Sequence, residues 1–527
     1  SRGIQRRMSV GSRLREALNT TPYRFQTRGV RFVEKWNGRA LIGDDMGLGK
    51  TLQSIGWAAI HPEARPLVVV CPAPLKYGWQ NELYKHANLE SLVCDGQLPT
   101  DAELDRRLKK KLRKLDKKDF PSFRRKRGAM KTAKQQTKKK KRVVKQQKKE
   151  VRQAVQAHGI LIINYDIIFY WLDFLLELDV KLLIIDESQF VKNRKAKRTK
   201  ACKTLALDCE YVLGLSGTPM MGTPSELFPI LQMIRPEEFT SFWKFAFEYC
   251  AAKKGPYGWD FTGSSNLDAL HRRLKKIMIR RMKHEVLKEL PHKSRTVMPL
   301  DITNREEYET AQDDFLSWLA RNKGKEAVDR AARAEAIVRL NALKLLAAQG
   351  KMKFAIQWIE DWLKSTDGKL LVFYYHKVIK AELIDAFPGA ALVDGSVRGR
   401  KRQAQVEKFI NNPECRLFLG QRKSAGTGLD GLQVASNVLF LEIGWTPAEH
   451  DQAEDRALRI GQTEHVDCYY LVGKNTIEER ILGVIERKDG LCARVLDGKE
   501  NGSMNLLQAF LDSVEGKKVL RVKRIVG

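Results

Sequence analysis

The sequence predicts an α/β protein made of two doubly wound parallel-sheet lobes with helical insertions. Three observations predict it: two separate series of short apolar runs, a helical apolar periodicity between them, and a glycine-lysine-threonine turn directly behind the first run. Runs of four or five residues rich in Val and Ile, without polar alternation, suit parallel strands covered on both faces. The first series is ALIG (40–43), LVVVC (67–71), ILIIN (160–164), LLIID (182–186) and YVLGL (211–215). The second is LLVFYY (370–375), ALVD (391–394), RLFLG (416–420), VLFLE (438–442) and DCYYLV (467–472).

Between the two series the spacing changes. SELFPILQMI, TSFWKFAFEYC and the Ala/Arg-rich stretch from about 326 to 362 carry apolar residues three and four apart, which predicts helices added to the lobes. Near the end, NTIEERILGVIERK (475–488) places Ile477, Ile481, Val484 and Ile485 on one face behind an Asn/Thr cap. At 527 residues the chain is too long for one ordinary core. The division expected is an N-terminal extension (1–19), a first lobe (20–290) with a basic insertion (about 101–155) and a helical protrusion (about 225–275), a second lobe (291–482) with its own protrusion (about 300–365), and a C-terminal helix and tail (483–527).

Lys and Arg outnumber Asp and Glu 95 to 63, a formal charge of +32. An excess this large favours a polyanionic partner, and nucleic acid is the default. From Arg106 to Arg152 there are 24 basic and 3 acidic residues, so 47 residues hold +21 of that charge. The segment has too few apolar residues to build a core of its own. It reads as a basic helical hairpin or a partly disordered arm, either solvated or lying along a nucleic-acid backbone. The eight cysteines are scattered without a C-x-x-C pair, which argues against a disulfide framework or a zinc module. No apolar run is long enough to span a membrane, so no membrane partner is expected. The start, SRGIQRRMSV, has neither an initiator methionine nor a signal-peptide core, and is expected to be a processed or trimmed start of a cytosolic or nuclear protein.

The chemistry begins at LIGDDMGLGKT (41–51). A strand-turn-helix context is what a phosphate-binding loop requires. Gly47 and Gly49 let backbone N–H groups approach phosphate oxygens, Lys50 neutralises the β/γ-phosphates of ATP, and Thr51 ligates Mg²⁺. Asp45, Met46 and Leu48 complete the turn as nucleotide contacts, and Asp44 stands where the longer form of this loop has glycine. LLIIDESQ (182–189) ends a buried strand in two carboxylates: Asp186 to hold Mg²⁺ and Glu187 to orient or deprotonate the attacking water. In HDQAEDRALRIGQ (450–462), Gln452, Arg456 and Arg459 fall at i, i+4 and i+7, on one face of a helix. An arginine presented to a γ-phosphoryl group stabilises the charge that develops there, typically by ~10³–10⁵ in rate.

With these pieces the chain closely resembles the Swi/Snf-type ATPases of helicase superfamily two, over roughly residues 22–487 and with the motifs in the family's order. PYRFQTRGVRF looks like the adenine-reading motif, which implies Gln26 as the base contact. VVVCPAPLKYGWQNEL, LIINYDII and LSGTPM look like the motifs that line the nucleic-acid track and couple it to ATP. LVFYYHK, LVDGSVRGRKRQAQVEKF and SAGTGLDGLQVASNVLFLEIGWTPAEHDQAEDRALRIGQ supply the second-lobe counterparts, with Gly428 a further nucleotide contact. Residues 249–290 are similar to the HARP-like annealing-helicase branch, in which Gln189 and Leu458 stand at positions usually held by His. There, Tyr257, Trp259 and Phe261 form either a stacking face for unpaired bases or a packed satellite core.

The resemblance implies RecA-like lobes, ATP and Mg²⁺ as cofactors, and a monomeric DNA-dependent ATPase. It would translocate on duplex or branched DNA mainly through phosphate contacts, rewinding strands or remodelling branches. Two alternatives are a strand-separating DNA or RNA helicase and a nucleic-acid-binding scaffold gated by ATP. The location implied is cytoplasmic in a prokaryotic or viral host and nuclear in a eukaryote.

Overall fold

The computed structural model describes residues 8–99, 101–116, 123–255, 258–287, 291–321, 330–397, 399–421, 429, 431–445 and 447–483. Its Cα positions divide into two units: Ser1–Ile42, Lys50–Ser216 and Pro229–Thr240 in the first, and Gly43–Gly49, Gly217–Phe228 and Ser241–Gly527 in the second.

The first unit is built on β1 (Arg39–Ile42), β2 (Leu67–Cys71), β3 (Leu92–Val93), β4 (Ile160–Asn164), β5 (Leu182–Asp186) and β6 (Tyr211–Leu215). They lie in the order β3-β4-β2-β5-β6-β1, and every pair is parallel. All five residues of β2, β4 and β5 are buried, the condition that removes polar alternation from a strand. The parallel order carries the C-terminal ends of β1, β5 and β6 to one edge of the sheet, where β5 ends in Asp186 and β6 runs into Ser216.

In front of this sheet, helix Val10–Ala17 is capped by Ser9, whose Oγ accepts from Ser12 N at 3.2 Å. Arg13 from this helix donates to Glu34 Oε1 (3.0 Å) and to the carbonyl of Ile60 (2.7 Å). Glu34 also accepts from Trp57 Nε1 (3.0 Å) and lies 2.7 Å from His61 Nε2. The His61 hydrogen bond, reinforced by its charge and by Arg13, holds the Glu34 carboxyl down at about 2 against the opposing effect of burial.

The basic insertion is helical where it is described, as Asp101–Asp116 and the 36-residue Phe123–His158. Its C-terminal part is fixed to the lobe: Arg152 pairs with Glu177 at 2.6 Å, and Lys148 and Arg152 lie 5.1 and 5.0 Å over the ring of Phe174. Lys141 reaches back to Asp105 at 2.9 Å. Lys138, Lys139, Lys140 and Lys145 are exposed.

The second unit carries a sheet of β10 (Lys293–Leu300), β11 (Leu370–Tyr374), β12 (Ala391–Val393), β13 (Leu417–Gln421), β14 (Asn437–Phe440) and β15 (Val466–Gly473). Their order is β10-β15-β14-β11-β13-β12, again parallel throughout. Leu371 and Phe373 enter one core cluster while Leu370, Val372 and Tyr374 enter another on the opposite face. Helix Arg330–Ser365 covers this sheet and buries two lysines. Lys351 Nζ donates to the Leu471 carbonyl (2.7 Å) and to Glu478, and Lys344 Nζ donates to the Ile443 carbonyl (2.7 Å) beside the ring of Trp445. Residues 477–483 are helical behind Thr476, whose Oγ1 accepts from Glu478 N at 3.2 Å. Val484 and Ile485 lie outside the described residues.

The seven described cysteines are free and buried. No described helix is long and apolar enough to cross a membrane, and no described group of His, Cys, Asp and Glu is arranged to hold a metal as a cluster.

Candidate ATP site

The turn behind β1 leads into helix Lys50–Ala59, and a helix N-terminus presents N–H groups and a positive dipole end that favour an anion. Gly47 and Gly49 have φ of +78° and +72°, left-handed values that glycine adopts without strain. The turn is held from behind. Asp44 is fully buried and paired with Arg281, whose Nε lies 2.9 Å from Oδ1. Asp45 N donates to the Arg281 carbonyl at 2.9 Å, and Gly43 N to that of Ile279, in the short strand β9 (Met278–Ile279), at 2.8 Å. Arg280 Nη1 donates to the carbonyls of Gly43 (2.9 Å) and Gly217 (3.0 Å). Asp44 therefore stands where the longer loop has glycine because it is the counter-ion of Arg281. Neither arginine was singled out from sequence, although a carboxylate at the end of a buried strand demands a cation.

Asp186 closes β5 and is buried. Its Oδ2 accepts from the Trp79 indole at 2.8 Å, its Oδ1 from Glu187 N at 2.9 Å, and its carbonyl from the Tyr165 hydroxyl. Burial, followed by the charge of Glu187, pushes its pKa up to about 7, against the pull of Trp79, the Glu187 amide and Lys50. Two adjacent carboxyl groups at a strand end, one of them buried and within electrostatic reach of Lys50, offer the hard oxygen donors that suit a divalent cation.

Glu187 sits at φ 49°, ψ 56°, a left-handed conformation unusual for a glutamate. Its Oε2 accepts from Gln189 Nε2 at 2.7 Å, and Gln189 Oε1 accepts from Ser216 Oγ at 2.7 Å. Ser216 opens the SGT segment directly after β6, so one glutamine links the acidic strand end to the next strand. Local sequence gives no sign that Trp79 and Ser216 serve the acidic strand end, since neither is adjacent to it in the chain. Gln26, buried on helix Arg24–Lys35, turns its Oε1 to Tyr23 N at 2.9 Å, where it caps the helix start.

The arginines of the second unit are not on a helical face. Helix Pro447–Glu454 carries Gln452 and ends before them, and Arg456 and Arg459 lie in successive tight turns. Past Glu454 the main chain tightens, with Arg456 N donating to the Ala453 carbonyl (3.2 Å) and Ala457 N to that of Glu454 (2.9 Å). Glu454, wholly buried, is paired with Lys293 and Arg295 and accepts from the Tyr470 hydroxyl. Burial alone would raise its pKa, but the two cations hold it well below the carboxylate range. Asp455 pairs with Lys283 at 2.5 Å, and Lys283 Nζ also donates to the Leu458 carbonyl at 2.7 Å. Arg456 Nη1 donates to the Leu429 carbonyl at 3.2 Å. Its charge adds to burial in lowering Arg402 to about 10. Arg459 meets the glycine turn within this unit: a Cβ built on Gly47 would stand 3.4 Å from Arg459 Cγ and 3.5 Å from Lys283 Cε. Gly428 lies outside the described residues.

Two parallel-sheet units, the first carrying Lys50 and an acidic strand end and the second carrying the glycine turn with Arg459, define an α/β ATPase-type core of the helicase-like kind. The chain belongs to the SNF2-related domain family, whose model matches residues 25–344, and the helicase conserved C-terminal domain matches residues 350–461. It is 30% identical over 486 residues to the DNA annealing helicase and endonuclease ZRANB3 of Bos taurus, covering 90% of this chain and 40% of that protein. It is 32% identical over 477 residues to the SWI/SNF-related matrix-associated actin-dependent regulator of chromatin subfamily A-like protein 1 of Xenopus laevis, covering 88% of this chain and 43% of that one. The chain thus spans less than half the length of these relatives. A Sulfolobus solfataricus SWI2/SNF2 ATPase core solved in complex with dsDNA aligns with 96% of this chain and 98% of its own, at 23% identity and a TM-score of 0.40.

Proposed function

We propose that this chain hydrolyses Mg·ATP in a nucleic-acid-dependent manner and uses the cycle to move along duplex DNA, rewinding strands or remodelling branches. The observation that supports the reading is the approach of Arg459 to Gly47, which brings a guanidinium-bearing side chain to the glycine turn proposed to hold the phosphates. Lys50 and the first-turn amides of its helix hold the phosphates, and Thr51 and Asp186 hold the ion, which supplies charge neutralisation on the phosphate oxygens when bound. Glu187 orients the attacking water, and its link through Gln189 to Ser216 fixes the carboxylate. Arg456 and Arg459 stabilise the charge that develops on the transferred group, while Gln26, Gln452 and Gly428 complete the nucleotide contacts. The annealing activity in the bovine relative's name supports the choice of rewinding over strand separation. The exposed lysines of the basic insertion suit sequence-blind phosphate contacts.

The test is phosphate release with duplex, forked and single-stranded DNA and with RNA, for the unaltered chain and for Lys50→Ala and Glu187→Gln. Both variants are expected to bind duplex normally and to lose turnover. Hydrolysis surviving in both removes these residues from the role, and turnover indifferent to every nucleic acid removes the motor.

A further inference from the structure

We propose that the face carrying Trp243, Phe247 and Trp259, together with Lys254, is a stacking platform for unpaired nucleic-acid bases, distinct from the phosphate-gripping track. The proposal rests on the nucleic-acid-binding part of the reading above and not on ATP hydrolysis. Helix Phe242–Tyr249 and the hairpin of β7 (Lys253–Gly255) and β8 (Gly258–Asp260) build it. The lower layer is core. Phe228, Phe245 and Tyr249 are buried, with ring centroids 5.4 and 5.0 Å apart along that series. Phe261 packs into the same layer, 4.9 Å from Phe242 and 5.3 Å from Trp243. The upper layer is open: Trp243, Phe247 and Trp259 are 43%, 55% and 40% exposed. Trp259 stands edge-on to both of the others at 5.2 Å. Three large rings held in fixed mutual orientation on a packed base are poorly explained as core, since each leaves about half of itself in water.

The charge around them favours a nucleic acid over an apolar protein partner. From Ser241 to Lys276 there are seven Lys and Arg against three Asp and Glu. The hairpin register pairs Lys254 with Trp259, which puts that ammonium on the same face as the indole, while Lys253 pairs with Asp260 on the other face. A base offers a π-face to the ring and its phosphate an anion to the lysine, the combination that single-strand-binding surfaces use. A segment of another protein would gain from the rings but would desolvate the lysine without return.

The experiment measures binding, without ATP, of a fluorescein-labelled oligo-dT strand, a fork with one unpaired arm and a blunt duplex. The variants are Trp259→Leu, Trp243→Leu and the double substitution, which keep the apolar packing and remove the indole. Each lost ring should weaken strand and fork binding by about 5- to 150-fold, with blunt-duplex affinity and duplex-stimulated phosphate release unchanged. Trp259→Phe should retain most of the strand affinity. Equal losses on strand and duplex, or no loss on either, would overturn the platform. Loss of self-association in a sedimentation run, with strand binding intact, would assign the face to a second copy instead. Absence of ATP turnover in the unaltered chain would sink the motor while leaving this binding test intact.

Discussion

Gln189 offers the sharpest test of how the acidic strand end is governed. Its amide donates to the Glu187 carboxylate and accepts from the Ser216 hydroxyl, both at 2.7 Å. The first bond, made to an acidic side chain, is of the stronger class and contributes ~1.5–3 kcal/mol, and the second, between an amide and a hydroxyl, contributes ~0.5–1.5 kcal/mol. Ser216→Ala removes only the neutral bond, so duplex-stimulated phosphate release should fall by about 2- to 12-fold. Gln189→Ala removes both and should cost about 30-fold or more. Because the Ser216 bond is already gone in Gln189→Ala, the double substitution should cost no more than Gln189→Ala alone. That outcome leaves a coupling energy of ~0.5–1.5 kcal/mol in the double-mutant cycle. Nucleotide affinity, read with a fluorescent ATP analogue, should hold, because neither residue belongs to the phosphate turn. Costs that add within ~0.3–0.5 kcal/mol would mean that the two side chains share no functional bond.

Three further outcomes are expected. Lys351→Met leaves the buried Glu478 side chain without its cation, so the second unit should lose ~3–5 kcal/mol and melt about 6–20 °C lower in calorimetry. Lys351→Met combined with Glu478→Leu should recover much of that loss, and an unshifted single variant would show that the pair contributes nothing. The Glu34–His61 contact should make stability depend on pH at both ends. Glu34 is depressed from 4.5 to about 2, so its contribution is present above 4.5 and is lost as pH falls toward 2. Burial lowers the pKa of His61, but its bonds to Glu34 and Glu63 outweigh that and raise it above 6.5, so its contribution is full below 6.5 and is lost as pH rises past the raised value. Glu34→Gln should flatten both limbs of a melting-temperature profile, and an unchanged profile would refute the assignment. Replacing Lys138, Lys139, Lys140 and Lys145 by Gln should reduce the slope of log affinity for duplex against log salt by up to about 0.9 for each lysine that contacts a phosphate. An unaltered slope would return the insertion to the solvent.

The strand series was legible because a parallel strand buried on both faces writes its position as an unbroken apolar run, as in β2, β4 and β5. β10 was not, since an edge strand with polar, half-exposed residues carries no such run, and its Lys293 and Arg295 serve Glu454 rather than the sheet. The glycine turn and the two carboxylates were legible as local motifs. The partners that set their chemistry were not: Arg281 is 237 residues from Asp44, and Trp79 is 107 from Asp186. Such partners follow from topology, which spacing alone does not encode. The Arg456–Arg459 helix failed for a related reason. Its periodicity was sound, but past Glu454 the main chain tightens into turns, while the side chains of Glu454 and Asp455 pair with Lys293, Arg295 and Lys283, partners remote in sequence.

The hydrogen bond from Lys283 to the Leu458 carbonyl bears on how this protein can drift. Every amino acid supplies a main-chain oxygen, so the anchor survives whatever side chain occupies position 458, and a leucine there keeps a tether that an imidazole would otherwise be assumed to provide. The demand for chemical identity falls wholly on the donor. Random mutagenesis should therefore find position 458 permissive toward apolar residues of similar bulk and position 283 intolerant, an asymmetry visible in a library of surviving variants.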